Sequence, residues 1–342
     1  MQYLCYHHND MDGKTAANEV YKYLKRNNIS ATSDMFIQRE YDEFFNPRDY
    51  EGKWVYIVDL SFTKTSIEKL FTICEGANKV TWIDHHESSL KCLEDENILK
   101  TLLNYTNLNF IINSEASGAL LTHMYFRGVF SNFKSQYIPE FNFRYDTIGR
   151  VVIDDPDGGG KTLPIPIYLK HIDEWDRWVY RGNQIPVYFN FGSDNHNTSL
   201  FAYPVKNAND KVYNSGFWTS IESSTFINQL IKEGEVIKKY IDTQAIRNTE
   251  HDGYECKING YNAFVLNSSG NSMMVGDKIN KYDLICLWHF DGKNNKFKYS
   301  LYSDKDGVNC AEIATSIESS GGGHPGAAGF SLDEMIFKPI KN

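Results

Sequence analysis

The stretch Val80-Thr81-Trp82-Ile83-Asp84-His85-His86-Glu87 constrains this chain more than any other. A short apolar, β-branched run stops at one carboxylate and two imidazoles. That is the pattern of a buried strand delivering polar groups at its C-terminal end, which in open α/β sheets is where ligands sit. Adjacent histidines point in different directions, so one can face a metal while the other faces a substrate. The pattern recurs. Residues 2–7 read as a strand that runs into His7-His8-Asn9-Asp10-Met11-Asp12-Gly13, and residues 54–60 as an apolar strand that reaches Asp59. Helical spacing follows each time, with Ala17, Val20, Tyr21 and Leu24 within 14–26, then Ile67, Leu70, Phe71 and Cys74 within 61–75. Residues 35–38 and 110–113 supply further strands, and 116–126 a further helix.

The spacing His8-x-Asp10-x-Asp12-Gly13 places three potential ligands within one tight turn, where alternate residues share a side and can converge on a metal. Equally, Asp10 or Asp12 could serve as a helix N-cap. A single Asp59 after a strand is ordinarily a cap or turn residue; as a third acid at the same sheet edge it becomes a candidate bridging ligand. Residues 164–178 read as an aromatic-rich helix. On it Asp173 and Asp176 share a face, and Trp175 and Trp178 are suited to core packing. Residues 128–166 and 182–214 read as irregular insertions, the second a candidate lid. The acidic turn Asp154-Asp155-Pro156-Asp157 lacks the ligand ladder of a calcium loop and reads as a surface turn. Residues 216–247 form mostly one long amphipathic helix or a helix pair, and a domain boundary is expected near 248–253.

From Tyr254 the pattern changes. Residues 257–266 read as a hairpin around Asn259-Gly260, and 284–290 with 296–302 as another. Helices are expected over 272–280 and 311–317. The chain then enters Gly321-Gly322-Gly323-His324-Pro325-Gly326-Ala327-Ala328-Gly329. Triple glycine before a histidine lets backbone N–H groups and an imidazole approach a phosphate closely. A flexible linker is the plainer reading, but linkers seldom place His, two Ala and another Gly so compactly before an apolar residue.

A chain of 342 residues holds two domains of ordinary size. Its formal net charge of −9 argues against a long duplex-binding surface but leaves room for a short nucleic acid in a local basic pocket. The six scattered cysteines, with no C-x-x-C pair, read as reduced, buried thiols of a cytoplasmic protein. No signal segment or membrane span is expected.

Together these motifs resemble the DHH phosphoesterase superfamily with its DHH-associated C-terminal domain, and most closely the oligoribonuclease (nanoRNase) branch. The first motif corresponds to His8-Asn9-Asp10-Met11-Asp12-Gly13, the second to Asp59 and the third to Asp84-His85-His86. The fourth, a later Asp, falls within 173–176. The C-terminal signature corresponds to 321–329, preceded by Ser300-Leu301-Tyr302-Ser303.

The resemblance implies an α/β fold: a catalytic domain over 1–247 with a mainly parallel sheet flanked by helices, a smaller mixed-sheet substrate domain over 254–342, and the active-site cleft between them. It implies that His8, Asp10 and Asp59 hold one Mn²⁺, and that Asp12, Asp59, His85 and the fourth-motif Asp hold a second; Mg²⁺ is the alternative metal. Asp173 is preferred for that fourth position over Asp176. Asp84 would support the site and His86 would face the scissile phosphate. Gly321, Gly322, Gly323 and His324, with Ser303, would grip another substrate phosphate. Family members often carry Arg where this chain has Tyr302, which weakens that grip or replaces it by base stacking. The expected activity is hydrolysis of short oligoribonucleotides or linear dinucleotides to 5′-mononucleotides by a two-metal-activated water. The alternatives are a cyclic-dinucleotide phosphodiesterase, a 3′-phosphoadenosine 5′-phosphate phosphatase, or a non-catalytic nucleotide-binding module. A homodimer is compatible with the sequence; a membrane or long duplex DNA partner is not expected.

Overall fold

Parallel pairing organises the first half of the chain. In the computed structural model, residues 2–40, 43–130, 137–138, 142–147, 149–153, 161–180, 182–202, 210–270, 272–276 and 278–337 are described. Strands β1 (Tyr3–His7), β2 (Phe36–Gln38), β3 (Trp54–Val58), β4 (Lys79–Asp84), β5 (Leu108–Ile112) and β6 (Tyr137–Ile138) form one sheet in the order β2-β1-β3-β4-β5-β6. Every pairing in it is parallel. Register brings the C-terminal ends to one rim: His7 lies opposite Val58, Val58 opposite Ile83, and Asp84 opposite Ile112.

Both faces of this sheet are covered, which is why its central strands are continuous apolar runs rather than alternating ones. Cys5, Tyr56, Val58, Ile83 and Ile111 pack into one cluster with α1 (Met11–Arg26), α5 (Gly118–Phe126) and α6 (Ile167–Asp176). Tyr6, Ile57, Trp82, Phe110 and Ile112 pack into another with α2 (Ile67–Gly76), α3 (Glu87–Leu93) and α4 (Glu96–Asn104). Trp82 is fully buried and its Nε1–H donates to the Leu60 carbonyl at 2.9 Å, so the large ring costs no unsatisfied donor.

The insertions are more regular than the sequence suggests. Residues 143–145, 151–153 and 161–163 make a three-stranded antiparallel sheet. The acidic turn at 154–157 lies outside the described residues. The second insertion contains a ten-residue helix, α7 (Ile185–Asp194), with Pro186 in its first turn and Val187 and Phe189 buried. Proline at a helix start presets the backbone angle without losing a needed donor, a signal that the Asn- and Ser-rich surroundings obscured. The expected helix over 61–75 begins only at Ile67, because the Thr63 N–H donates to Ser66 Oγ and a turn takes its place.

Helix α8 (Ser224–His251) runs unbroken for 28 residues. The two compact units are Met1–Glu235 and Val236–Asn342, so the division falls inside α8 rather than at its end near 248–253. The second unit holds β7 (Tyr254–Ile258), β8 (Tyr261–Asn267), β9 (Leu284–Asp291), β10 (Lys296–Tyr302), α9 (Cys310–Ile317), β11 (Gly322–His324) and β12 (Ala327–Leu332). Their order is β7-β8-β9-β10-β12-β11; β8 and β9 pair parallel and the rest antiparallel, a mixed sheet. Where one helix is expected over 272–280 there are two short turns, Ser272–Val275 and Lys278–Lys281. All six cysteines are free and buried. Among the described residues no helix is long and apolar enough to cross a membrane.

Trp82→Ala removes the largest fully buried side chain of the parallel sheet. We expect it to lower unfolding free energy by about 3–5 kcal/mol in a denaturant titration; a loss below about 1 kcal/mol would contradict the packing described.

Candidate metal centre

Four segments meet at the rim of the parallel sheet, and each arrives for a local reason. After β1 the chain turns into α1, with Asp10 as N-cap: its Oδ1 accepts the Gly13 N–H at 2.8 Å. The other carboxylate oxygen of Asp10 lies 2.7 Å from His8 Nδ1, so Asp10 is at once a cap and a member of the polar cluster. After β3, Asp59 adopts a left-handed backbone with φ of 54°, a conformation that costs a non-glycine residue energy and marks sites held in place by their surroundings. Its N–H donates to the Ile83 carbonyl on the neighbouring strand. After β4, His85 and His86 precede α3. The last turn of α6 supplies Asp176.

The central feature is the ring nitrogen His85 Nε2. It lies 3.1 Å from Asp59 Oδ1, 3.2 Å from Asp176 Oδ2 and 3.6 Å from Asp12 Oδ2. His85, Asp12 and Asp59 are buried. Asp12 Oδ1 accepts the Ala119 N–H at the start of α5, but Asp12 Oδ2 and Asp59 Oδ2 have no hydrogen-bond donor among the described residues. Ligand atoms of Asp12, His85 and Asp176 fall within 4.8 Å of one another, as do those of His8, Asp10 and Asp59. Asp59 thus stands between the two groups.

Electrostatics follow from this crowding. Burial first, then the charge of Asp10, pushes Asp12 up to about 7. Burial and the neighbouring carboxylates likewise raise Asp59 and Asp176 well above the ordinary range. Burial disfavours charge on His8, but Asp10 and Glu40 outweigh it and raise His8 to about 10. Buried carboxylates that repel one another and lack donors are what a multivalent cation would neutralise. Oxygen and imidazole donors without a thiolate suit a divalent ion such as Mn²⁺ or Mg²⁺. His8, Asp10, Asp12, Asp59, His85 and Asp176 fit such ions.

Asp84 and Asp173 are different. Asp84 Oδ1 accepts from His86 Nδ1 at 2.7 Å and Oδ2 accepts from the Ser89 hydroxyl. Burial alone would raise this carboxyl, but His86 outweighs it and holds it below its usual value. Asp84 therefore positions the His86 ring. Asp173, the preferred fourth ligand from sequence, is not at the cluster. Its Oδ1 accepts from Ser117 N at 2.8 Å and Arg177 Nε at 3.0 Å, and its Oδ2 from Tyr145 OH at 2.7 Å and Arg177 Nη2 at 2.8 Å. Every acceptor position is used, so this carboxylate has nothing left for a metal. Asp176, one helical turn on, takes the place expected of it.

Several contributors escaped sequence reasoning. A Cβ at Gly118 would lie 2.7 Å from Asp59 Cβ, 2.9 Å from Asp59 Oδ1 and 3.0 Å from Asp12 Oδ2, so only glycine lets α5 approach both carboxylates. Its sequence signal was Ser117, an N-cap, followed directly by glycine inside the helix rather than in a turn. Glu40, whose Oε2 is 3.3 Å from His8 Nε2, gave no signal.

In the second unit the glycine run is a strand, not an open loop. Gly322–His324 pairs antiparallel with Ala327–Gly329. Gly323 has φ of 142°, and a Cβ there would lie 2.6 Å from the Ala327 carbonyl oxygen, so the tight hairpin itself requires glycine. At Gly321 a Cβ would come within 2.8 Å of the Ala314 carbonyl oxygen. The Ser303 hydroxyl donates to the Asp283 carbonyl and accepts from Lys305 N–H, closing the turn after β10.

No family model and no curated protein matches this chain. Similar solved structures include a pGpG-specific phosphodiesterase, PggH, from Vibrio cholerae, at 14% identity and a TM-score of 0.43, covering 97% of this chain and 93% of that one. The DHH domain of a member of a ribosomal protein family is similar at 13% identity and a TM-score of 0.49, covering 96% and 82%. Exonuclease RecJ bound to manganese is similar at 12% identity and a TM-score of 0.41, covering 97% and 86%. At these values the activities named for those proteins remain theirs.

Two measurements test the centre. Asp12 in the folded chain keeps its proton up to about pH 7, whereas in the unfolded chain it loses it at about pH 3.9. The folded state therefore binds more protons between those values, and the stability of chelated protein should fall as pH rises through that window. Added Mn²⁺ should restore melting temperature most at the upper end; a metal effect independent of pH would contradict the assignment. Gly118→Ala should retain the far-ultraviolet circular dichroism of the parent and lose most of the Mn²⁺-induced rise in melting temperature.

Proposed function

We propose that this chain is a metal-dependent phosphoesterase of the DHH type, and that it uses Mn²⁺ to hydrolyse short oligoribonucleotides or linear dinucleotides to 5′-mononucleotides. The observation that carries this reading is the convergence of Asp12, Asp59 and Asp176 on His85 Nε2, with Asp59 shared by the neighbouring His8 and Asp10 group. Divalent ions held there would supply Lewis-acid polarisation of a phosphoryl group and acidification of a water. The motif order, from His8 to the glycine-histidine segment, supports the DHH assignment.

The chain's own residues have separable tasks. Asp12, Asp59 and Asp176 concentrate negative charge where cations bind, and Gly118 keeps them close. Asp84 accepts the His86 Nδ1 proton and Ser89 fixes Asp84 in turn, so His86 keeps one orientation. His86, when Nε2 also carries a proton, would donate that N–H to a phosphoryl oxygen and stabilise charge as the P–O bond breaks. Asp173 ties Ser117, Tyr145 and Arg177 together and holds α6 so that Asp176 stays at the rim. In the second unit, Gly321–Gly323 and His324 would hold a substrate phosphate.

Digestion of 5′-labelled RNAs of graded length, beside cyclic dinucleotides and 3′-phosphoadenosine 5′-phosphate, tests the substrate. We expect Mn²⁺-stimulated cleavage fastest on two to a few nucleotides. Faster turnover of the cyclic or bisphosphate compound would overturn the linear assignment. Asp59→Ala and Asp176→Asn should abolish cleavage, and Asp84→Asn should lower it roughly 10–100-fold. Asp173→Asn should instead show itself mainly as lowered thermal stability. If Asp173→Asn removed metal binding while Asp176→Asn left it intact, the two roles would be reversed.

A further inference from the structure

The first unit has a second concavity at the far ends of the helices that build the metal centre. It measures about 570 Å³ and is lined by Glu19, Lys22, Lys25 and Arg26 of α1 and by His123 and Arg127 at the end of α5. The distance from Asp12 to Lys25 along α1 is about 20 Å, so this is not the carboxylate cluster seen from another side. Glu222 also lines it, so four cationic side chains face two carboxylates, on a chain whose net charge is −9.

Its lining carries a polar network that is buried at Glu19, His123 and Tyr168. Lys22 Nζ lies 2.6 Å from Glu222 Oε1, 3.3 Å from Glu19 Oε1 and 3.0 Å from the Tyr168 hydroxyl. His123 Nδ1 lies 2.9 Å from Glu19 Oε2. Burial would raise Glu19, but His123 and Lys22 outweigh it and hold it near 2, so Glu19 is a carboxylate and accepts the Nδ1 proton. His123 is 1% exposed, and Nε2 has no hydrogen-bond partner among the described residues. Asn18 Nδ2 and Thr122 Oγ1, its neighbours on the same two helices, are also buried without partners.

The rim has a simpler explanation, which covers only part of this. Lys25 and Arg26 occupy the last turn of α1, and Arg127 is the C-cap of α5; cations there complement helix dipoles. That accounts for their sign. It does not account for a cavity of small-molecule size, or for a buried imidazole nitrogen left unmatched in its lining. These three side chains are exposed and form no ion pair among the described residues.

We propose that this cavity is a second ligand site that takes a nucleoside monophosphate. The phosphate would lie against Lys25, Arg26 and Arg127, and a polar group of the nucleoside would hydrogen-bond His123 Nε2. The proposal stands apart from the chemistry at the carboxylate cluster.

The test is calorimetric titration of adenosine 5′-monophosphate into the full-length chain in the presence of chelator, with inorganic phosphate and adenosine as separate probes. The monophosphate should bind more tightly than either part. Replacing the exposed rim (Lys25→Gln, Arg26→Gln and Arg127→Gln together) should weaken it by about tenfold or more, equivalent to about 1.4 kcal/mol. Asp59→Ala should leave it unchanged. Nitrogen-15 spectra of histidine-labelled protein supply a site-specific readout: the monophosphate should shift the His123 signal, identified by its loss in His123→Gln. No binding by the parent chain, equal binding after the rim substitutions, or a His123 signal that does not move would each overturn the proposal. Inorganic phosphate binding as tightly as the nucleotide would overturn the assigned ligand class.

Discussion

Like charges forced together out of water are the constraint on which the rest of the first unit depends. Asp12, Asp59 and Asp176 all approach one nitrogen of His85 to within 3.1–3.6 Å, and three of their oxygens, Asp12 Oδ2, Asp59 Oδ2 and Asp176 Oδ2, have no hydrogen-bond partner among the described residues. Bare, such a group destabilises the fold and holds protons that free carboxyls would release. The scaffold bears this cost through burial elsewhere. The parallel sheet is packed on both faces, Asp59 is held at a positive φ by its neighbours, and Gly118 removes the one side-chain atom that would force two carboxylates apart.

Satisfaction of hydrogen bonds separates two kinds of acid that look alike in the sequence. Asp84 and Asp173 are both buried, and both have their oxygens engaged by specific donors. They fix other groups: the His86 ring in one case, the last turn of α6 in the other. Asp59 and Asp12 each keep an oxygen in reserve. The distinction explains why Asp173 and Asp176 could not be told apart by spacing. Three residues along a helix leaves both on one face, and two of the decisive partners, Ser117 and Tyr145, come from other segments of the chain.

The second unit shows the complementary case, in which a sequence signal with a functional look also answers a structural demand. The glycines of 321–323 permit close backbone approach, but the approach seen is by the protein's own Ala314 and Ala327 carbonyls. The irregular look of the insertions was also misleading. Local composition favoured loops over 128–166 and 182–214, yet pairing with neighbours makes a small antiparallel sheet in the first, and burial of Val187 and Phe189 makes a helix in the second. Tertiary contacts override weak local preference in both.

By itself the sequence determined the order of strands and helices in the first half, because apolar runs bounded by polar turns have few other ways to bury themselves. It also determined that acids and imidazoles would sit at strand ends, since His8, Asp59 and Asp84-His85-His86 each stop such a run. What only the tertiary structure decided is which of these groups meet. Convergence depends on register between strands far apart in the chain, on how closely α5 can approach at Gly118, and on which face of α6 its neighbours occupy. Those are distances between segments, and one-dimensional spacing carries no information about them.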